Sequence, residues 1–364
     1  MTKSILLALV GLLCAPFCGA QKPKVTNAQV QEISAASGLQ SAFNSIVQKQ
    51  GTPVWIGYRI PTTPKERTMC CFDSTNQFGS DGNKCCMGCK LESNGGGSFV
   101  GNVTDCTPPE PLRYAFVFLR TEGKQIQKVR TYSADCSLDF ANLPLYWLEN
   151  VSPSESVALL MNLSLTAVPE ETERKNELPD HAVRAIALHD DPSADAALEK
   201  LIQPDRPEHT RERVAFWLGV ERGKKGAELL HKYVKDDPNE QFRKKAVFGF
   251  AQSKEPEALR DLISIARSDT SVHVRGQAIF WLGQIGGRKE AEQITAAIEN
   301  DPETEVKKRA VFALAQMHNG EGIPLLIGVA KTNKNPVVRK EAIRWLGMTN
   351  DSRALDYLEQ ILTK

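Results

Sequence analysis

From about residue 180 the chain repeats every 32 residues without an insertion, and this period constrains the fold more than any other feature. Leu198, Leu230, Leu262, Ile294, Leu326 and Leu358 form one column. Leu201, Tyr233, Ile265, Ala297, Val329 and Ile361 form a second, three residues later. Ile202, Val234, Ala266, Ile298, Ala330 and Leu362 form a third. Steps of three and four lie on one face of a helix, read as the second helix of each unit. The first helix carries small residues in register: Ala182, Val214, Ala246, Ala278, Ala310 and Ala342, then Ala187, Gly219, Ala251, Gly283, Ala315 and Gly347. Between them Ala185, Trp217, Gly249, Trp281, Ala313 and Trp345 alternate small and large. Each Trp is expected to fill space beside a small neighbour, so the stripe reads as packing rather than as a ligand platform.

A polar ladder keeps the same period. Asp205, Asp237, Asp269, Asp301 and Asn333 precede the first helices, and Arg211, Arg243, Arg275, Lys307 and Arg339 follow six residues later. The acidic residues are expected to accept from helix N-terminal amides. The basic ones are expected to reach an Asp of their own or the next unit, as a structural ion-pair ladder rather than a stripe for an anionic partner. A two-helix unit of this size cannot bury both faces alone, so six units should stack into a curved solenoid. The second helices are expected on its concave side, exposing Lys232, Lys235, Arg260, Arg267, Glu292 and Glu299. Charge there changes sign along the array, which suits a protein or peptide partner.

The units Arg211-Glu212-Arg213-Val214-Ala215-Phe216-Trp217-Leu218-Gly219 and Arg275-Gly276-Gln277-Ala278-Ile279-Phe280-Trp281-Leu282-Gly283 closely resemble HEAT repeats of the short type also found in phycobilisome lyases. The resemblance spans about half of the chain and implies fold more than function. HEAT-type deoxyhypusine hydroxylases carry paired His-Glu motifs for iron, and this chain has no His-Glu dipeptide. With its other features the chain also resembles secreted bacterial HEAT-repeat proteins, which implies no activity.

Residues 1–20 read as a signal peptide, with Lys3 as the charged start, Ile5 to Leu13 as the apolar stretch and Cys18-Gly19-Ala20 at the cleavage site. A membrane span needs about 20 apolar residues, far more than this run supplies. Without Lys3 the 45 basic residues become 44 against 44 acidic, so net charge gives no sign of a nucleic-acid partner. Seven of the nine Cys follow the leader: Cys70, Cys71, Cys85, Cys86, Cys89, Cys106 and Cys136. In an exported chain this clustering reads first as disulfides, with one thiol left over. Two alternatives stay open: an all-Cys zinc site using Cys86, Cys89, Cys70 and Cys71, and redox chemistry at Cys86 and Cys89.

Around the Cys-rich segment the pattern is partly β. Val54 to Tyr58 is a short apolar run, and Tyr114 to Thr121 with Lys124 to Thr131 reads as a hairpin joined at Glu122-Gly123, its second strand at a sheet edge. Residues 26–49 read as helical on the spacing of Val30, Ile33, Leu39, Phe43 and Ile46. Ser152-Pro153-Ser154-Glu155 reads as a capping box opening a helix.

The expected protein is thus mainly α. A leader (1–20) precedes an α+β Cys-rich domain (21–150, Cys-rich at 70–106), a capping helix and linker (151–179), and a HEAT-type α-solenoid (180–364) of about six helix pairs. The expected function is that of a secreted or periplasmic scaffold or adaptor for a protein or peptide, not an enzyme, with no cofactor, no metal, no nucleic acid and no stable membrane insertion. A thiol-disulfide or thiolate-metal enzyme centred on the Cys-rich segment is the alternative.

Overall fold

The computed structural model describes residues 22–49, 51–65, 89–92, 112–134, 136–166 and 178–363. The signal-peptide reading falls outside these residues, as do Cys70, Cys71, Cys85, Cys86, Cys106 and most of the expected linker.

Two sheets form the N-terminal part. The larger has the order β2 (Val30–Ser34), β8 (Leu145–Glu149), β3 (Val54–Lys65), β5 (Leu112–Glu122), β6 (Gln125–Ser133). The smaller joins β1 (Lys24–Thr26), β7 (Ser137–Asp139) and β4 (Cys89–Lys90) in the order β1, β7, β4. β8 runs parallel to both β2 and β3, while β3, β5 and β6 are antiparallel. The hairpin is present with β6 at the sheet edge. Its turn is Gly123-Lys124, both at positive φ, one residue beyond the expected junction. β3 runs well past Tyr58 because β8 accompanies it only to that residue, and Pro61 then costs no pairing on the β8 side.

The expected helix over residues 26–49 is corrected. Val30 and Ile33 lie on strand β2, and only Leu39–Val47 (α1) is helical. Gly38 at φ 110° separates the two. Parallel pairing with β8 outweighs the local helical spacing, which a short segment cannot convert into a stable helix unaided. The capping box at α2 (Pro153–Ser164) is also corrected. Ser152 makes no side-chain cap bond, and the Glu155 carboxylate accepts instead from Leu39 N at 3.2 Å. Gly38 has no side chain with which to cap α1, so Glu155 supplies the missing acceptor from another helix.

Six helix pairs follow. They are α3 (Leu178–Leu188) with α4 (Pro192–Leu201), α5 (Glu208–Glu221) with α6 (Gly223–Tyr233), and α7 (Glu240–Gln252) with α8 (Pro256–Ser268). Then come α9 (Val272–Ile285) with α10 (Arg288–Asn300), α11 (Thr304–Ala315) with α12 (Ile323–Thr332), and α13 (Pro336–Leu346) with α14 (Ser352–Leu362). Leu198, Leu230, Leu262, Ile294 and Leu326 are fully buried.

One core runs from the sheet to the last pair. Val54, Ile56, Tyr58 and Ile60 of β3 and Ala115, Val117 and Leu119 of β5 join the same apolar cluster as Leu198, Leu262 and Tyr357. The opposite sheet face, with Trp55, Phe116, Phe118 and Trp147, builds a second core with Leu138, Phe140, Cys89 and Cys136. The alternation of period two along β3 and β5 divides the two cores. At the junction the hydroxyls of Tyr58 and Ser156 lie 2.9 Å apart, and Ser156 Oγ lies 2.9 Å from His189 Nε2. His189 Nδ1 faces the Ala185 carbonyl at 2.7 Å, which only accepts, so Nδ1 carries the proton of the neutral ring. All three side chains are fully buried. Burial holds the His189 ring neutral, its pKa pushed down to about 4.

Candidate docking face

The small columns of the first helices bring backbones into contact. A Cβ on Gly219 would occupy the Gly249 carbonyl, and one on Gly249 would meet the Ala215 carbonyl. First helices pack along one another from α3 to α13, whereas second helices stand apart. Open clefts lie between them, such as one of about 360 Å³ lined by Lys235, Ser264 and Ser268 and one of about 590 Å³ lined by Glu299, Leu325 and Thr332. The first helices therefore form the close-packed layer of the stack and the second helices the open one. Sequence columns show that residues are small, but not which layer closes furthest.

The Asp and Arg columns form the ladder between units. Arg243 donates to both Asp269 oxygens at 2.8 and 2.9 Å, and Arg275 to both Asp301 oxygens at 2.8 and 3.1 Å. Arg211 pairs across units with one Asp237 oxygen. Arg243 also donates to Asp237 O at 2.6 Å and Arg275 to Asp269 O at 2.8 Å, whereas Arg211 donates to Ile202 O at 3.0 Å. The Asp269 carboxylate raises the Arg243 pKa, and Asp301 does the same for Arg275. The Asp column does not supply the N-caps, which corrects that expectation. Asp237 and Asp269 accept from the amide two residues on, and the caps are Asn239, Ser271 and Asn335. At the last step Lys307 donates to Glu299 O and Arg339 to Asn333 O, so the charged rung is missing there.

The half-buried side of the first helices carries a continuous run of aromatic rings. Phe216 and Phe248 stack at 5.3 Å, Phe248 and Trp281 at 4.3 Å, and Phe280 and Phe312 at 6.1 Å between centroids. Within units Phe216 meets Trp217 and Phe280 meets Trp281 edge-on at 4.9 and 5.0 Å. Phe312 meets Trp345 at 4.8 Å. Each end of the run is a cation: Arg184 lies 5.5 Å from the Trp217 centroid and Arg344 5.1 Å from that of Trp345. The three Trp pack against the common core, each on the residue of the preceding unit at Arg184, Phe248 or Phe312. The four Phe belong to neither core and are half-buried.

This column reads Arg184, Phe216, Phe248, Phe280, Phe312 and Arg344 at the 32-residue period. The register that finds the Leu ladders finds it too. Apolar content alone does not separate a core ring from a surface one, so the Trp column beside it draws the eye first.

The six charged residues of the second helices lie elsewhere. Lys232 pairs with Glu199 at 2.8 Å, Lys235 with Asp261 at 3.4 Å, Arg260 with Glu257 at 2.8 Å and Glu292 with Arg288 at 3.3 Å. Arg267 donates to Gln293, and Glu299 borders the largest of the clefts described above. They do not converge on one site, and most of their charge is met within the array. Cys89 and Cys136 are fully enclosed in the second core, and neither is a free thiol. A redox nucleophile has to be reached by its substrate, so Cys89 is poorly placed for one.

The family of HEAT repeats matches residues 227–298 and 291–364. The helical half is a HEAT-repeat array. No curated protein matches the chain. Among solved structures, the complex of CpcE and CpcF of phycocyanin lyase from Nostoc sp. PCC7120 is 22% identical with a TM-score of 0.33, covering 43% of this chain and 99% of that one. Human deoxyhypusine hydroxylase in complex with glycerol is 16% identical with a TM-score of 0.27, covering 57% and 89%. A designed armadillo repeat protein is 17% identical with a TM-score of 0.27, covering 53% and 100%. Among the described residues no helix is long and apolar enough to cross a membrane.

Proposed function

We propose that the chain is an exported scaffold whose HEAT array docks a protein or peptide segment along the aromatic run of its first helices. The four Phe outside both cores carry this reading. Half-buried rings give a partner a large apolar contact, and ordering them on binding costs little because they are already stacked. Export rests on the leader at residues 1–20. In that setting six of the seven Cys, Cys89 and Cys136 among them, hold the sheet sector through disulfides. Intact-mass counting of alkylated thiols tests this, with at most one reactive thiol expected and several contradicting it.

Panning a displayed peptide library on the purified protein tests the docking reading. Captured peptides should bind at least about tenfold more weakly to a Phe248→Ala, Phe312→Ala variant, a loss of ~1.4 kcal/mol or more. They should be indifferent to Arg260→Ala and Arg267→Ala on the second helices. The opposite pattern would move the docking site to the clefts between second helices.

A further inference from the structure

We infer that the segment held by the aromatic run is acidic: a protein chain alternating carboxylates with apolar or aromatic side chains. The inference rests on the docking reading above and adds the chemistry of the partner. Lys244 stands one helical turn before Phe248, Arg309 one turn before Phe312, and Lys340 one turn before Arg344. Among the described residues none of these three cations has a carboxylate within ion-pair distance. Cations elsewhere on this face do: Arg213 pairs with Asp180 at 2.7 Å, Lys245 with Glu212 at 2.7 Å and Lys308 with Glu305 at 2.9 Å. Arg309 is also built in. Gly276 of the preceding unit leaves room for its stem, where a Cβ would collide with Arg309 Cδ, and its Nε is buried without a hydrogen-bond partner. Arg184 Nε at the far end is likewise buried and unpartnered. A buried donor left open favours a partner that brings an acceptor, and a carboxylate answers both the charge and the donor.

Nucleic acid, another anionic partner, fits less well. Single-stranded nucleic acid needs free ring faces for its bases, whereas here Phe216, Phe248, Trp281, Phe280 and Phe312 cover one another.

The test is a titration of the whole protein with two fluorescent twelve-residue peptides, one alternating Glu with Phe and Leu, the other with Lys in place of every Glu. The acidic peptide should bind at least about tenfold more tightly, and the preference should shrink as NaCl rises from about 50 to 500 mM. Lys244→Glu, Arg309→Glu, Lys340→Glu together should reverse it, with helical circular dichroism unchanged. Equal binding of both peptides, or a preference for the basic one, overturns the inference. So does tighter binding of oligo(dT) or of phosphatidylglycerol vesicles than of the acidic peptide. If neither peptide binds while panned peptides still depend on Phe248 and Phe312, the acidic class is wrong and the docking reading stands. If panned peptides ignore the Phe residues as well, both fail.

Discussion

At the scale of single residues, His189 shows how the sheet and the array are joined. Its neutral ring closes a chain from Tyr58 through Ser156 to the Ala185 carbonyl. The unfolded ring has its ordinary value near 6.5, and burial lowers the folded one to about 4. As pH falls, the unfolded chain takes the proton first. The stability this site contributes is complete above pH 6.5 and is lost progressively between 6.5 and 4, by roughly 3 kcal/mol. Urea denaturation at steps of pH across that window should show the loss. His189→Gln should be less stable at pH 7 yet lose less between pH 6.5 and 4. A wild-type curve flat across the window would contradict the assignment. Nothing in the sequence announces this contact, because Tyr58, Ser156 and His189 are far apart in the chain and none stands in a recognisable motif. Gly249 is the opposite case: its small place in the alternating small–large column is plain at the 32-residue period, and the structure supplies the carbonyl it must clear. Gly249→Ala should cost at least 2–3 kcal/mol, as overpacking against a backbone that cannot yield, measured by thermal melting.

At the scale of elements, the ion-pair ladder binds each HEAT unit to the next. Asp269→Asn leaves the side chain of Arg243 short of its carboxylate while still buried, and should cost about 3 kcal/mol. Circular dichroism melts would check it, and a change under about 0.5 kcal/mol would mean the pair is only ornamental. The step between the last two units lacks the charged rung, since Lys307 and Asn333 stand in place of Arg and Asp. Lys307→Arg with Asn333→Asp should therefore raise the melting point beyond the sum of the single changes, by a coupling of about 1 kcal/mol. Elements of this half are legible because one period sets helix length, small columns and polar ladder together. The N-terminal elements are not. β2 looks helical by spacing, and β3 reads short because its prolines lie where one neighbouring strand has already ended. Strand partners distant in the chain decide both, and a local pattern does not contain them.

At the scale of the whole molecule, the sheet and the array share one apolar core, so the N-terminal part closes one end of the stack rather than hanging from it. The first helices form its close-packed layer and carry the aromatic run. Its repeat register was legible in the sequence; its close-packed layer was not, because that follows from which backbones touch. The most direct test of docking along that run is site-specific photocrosslinking with a panned peptide. A benzoylphenylalanine at position 280 should crosslink the peptide in high yield, and one at position 260, on a second helix, should not. Crosslinking at position 260 with none at 280 would contradict the account.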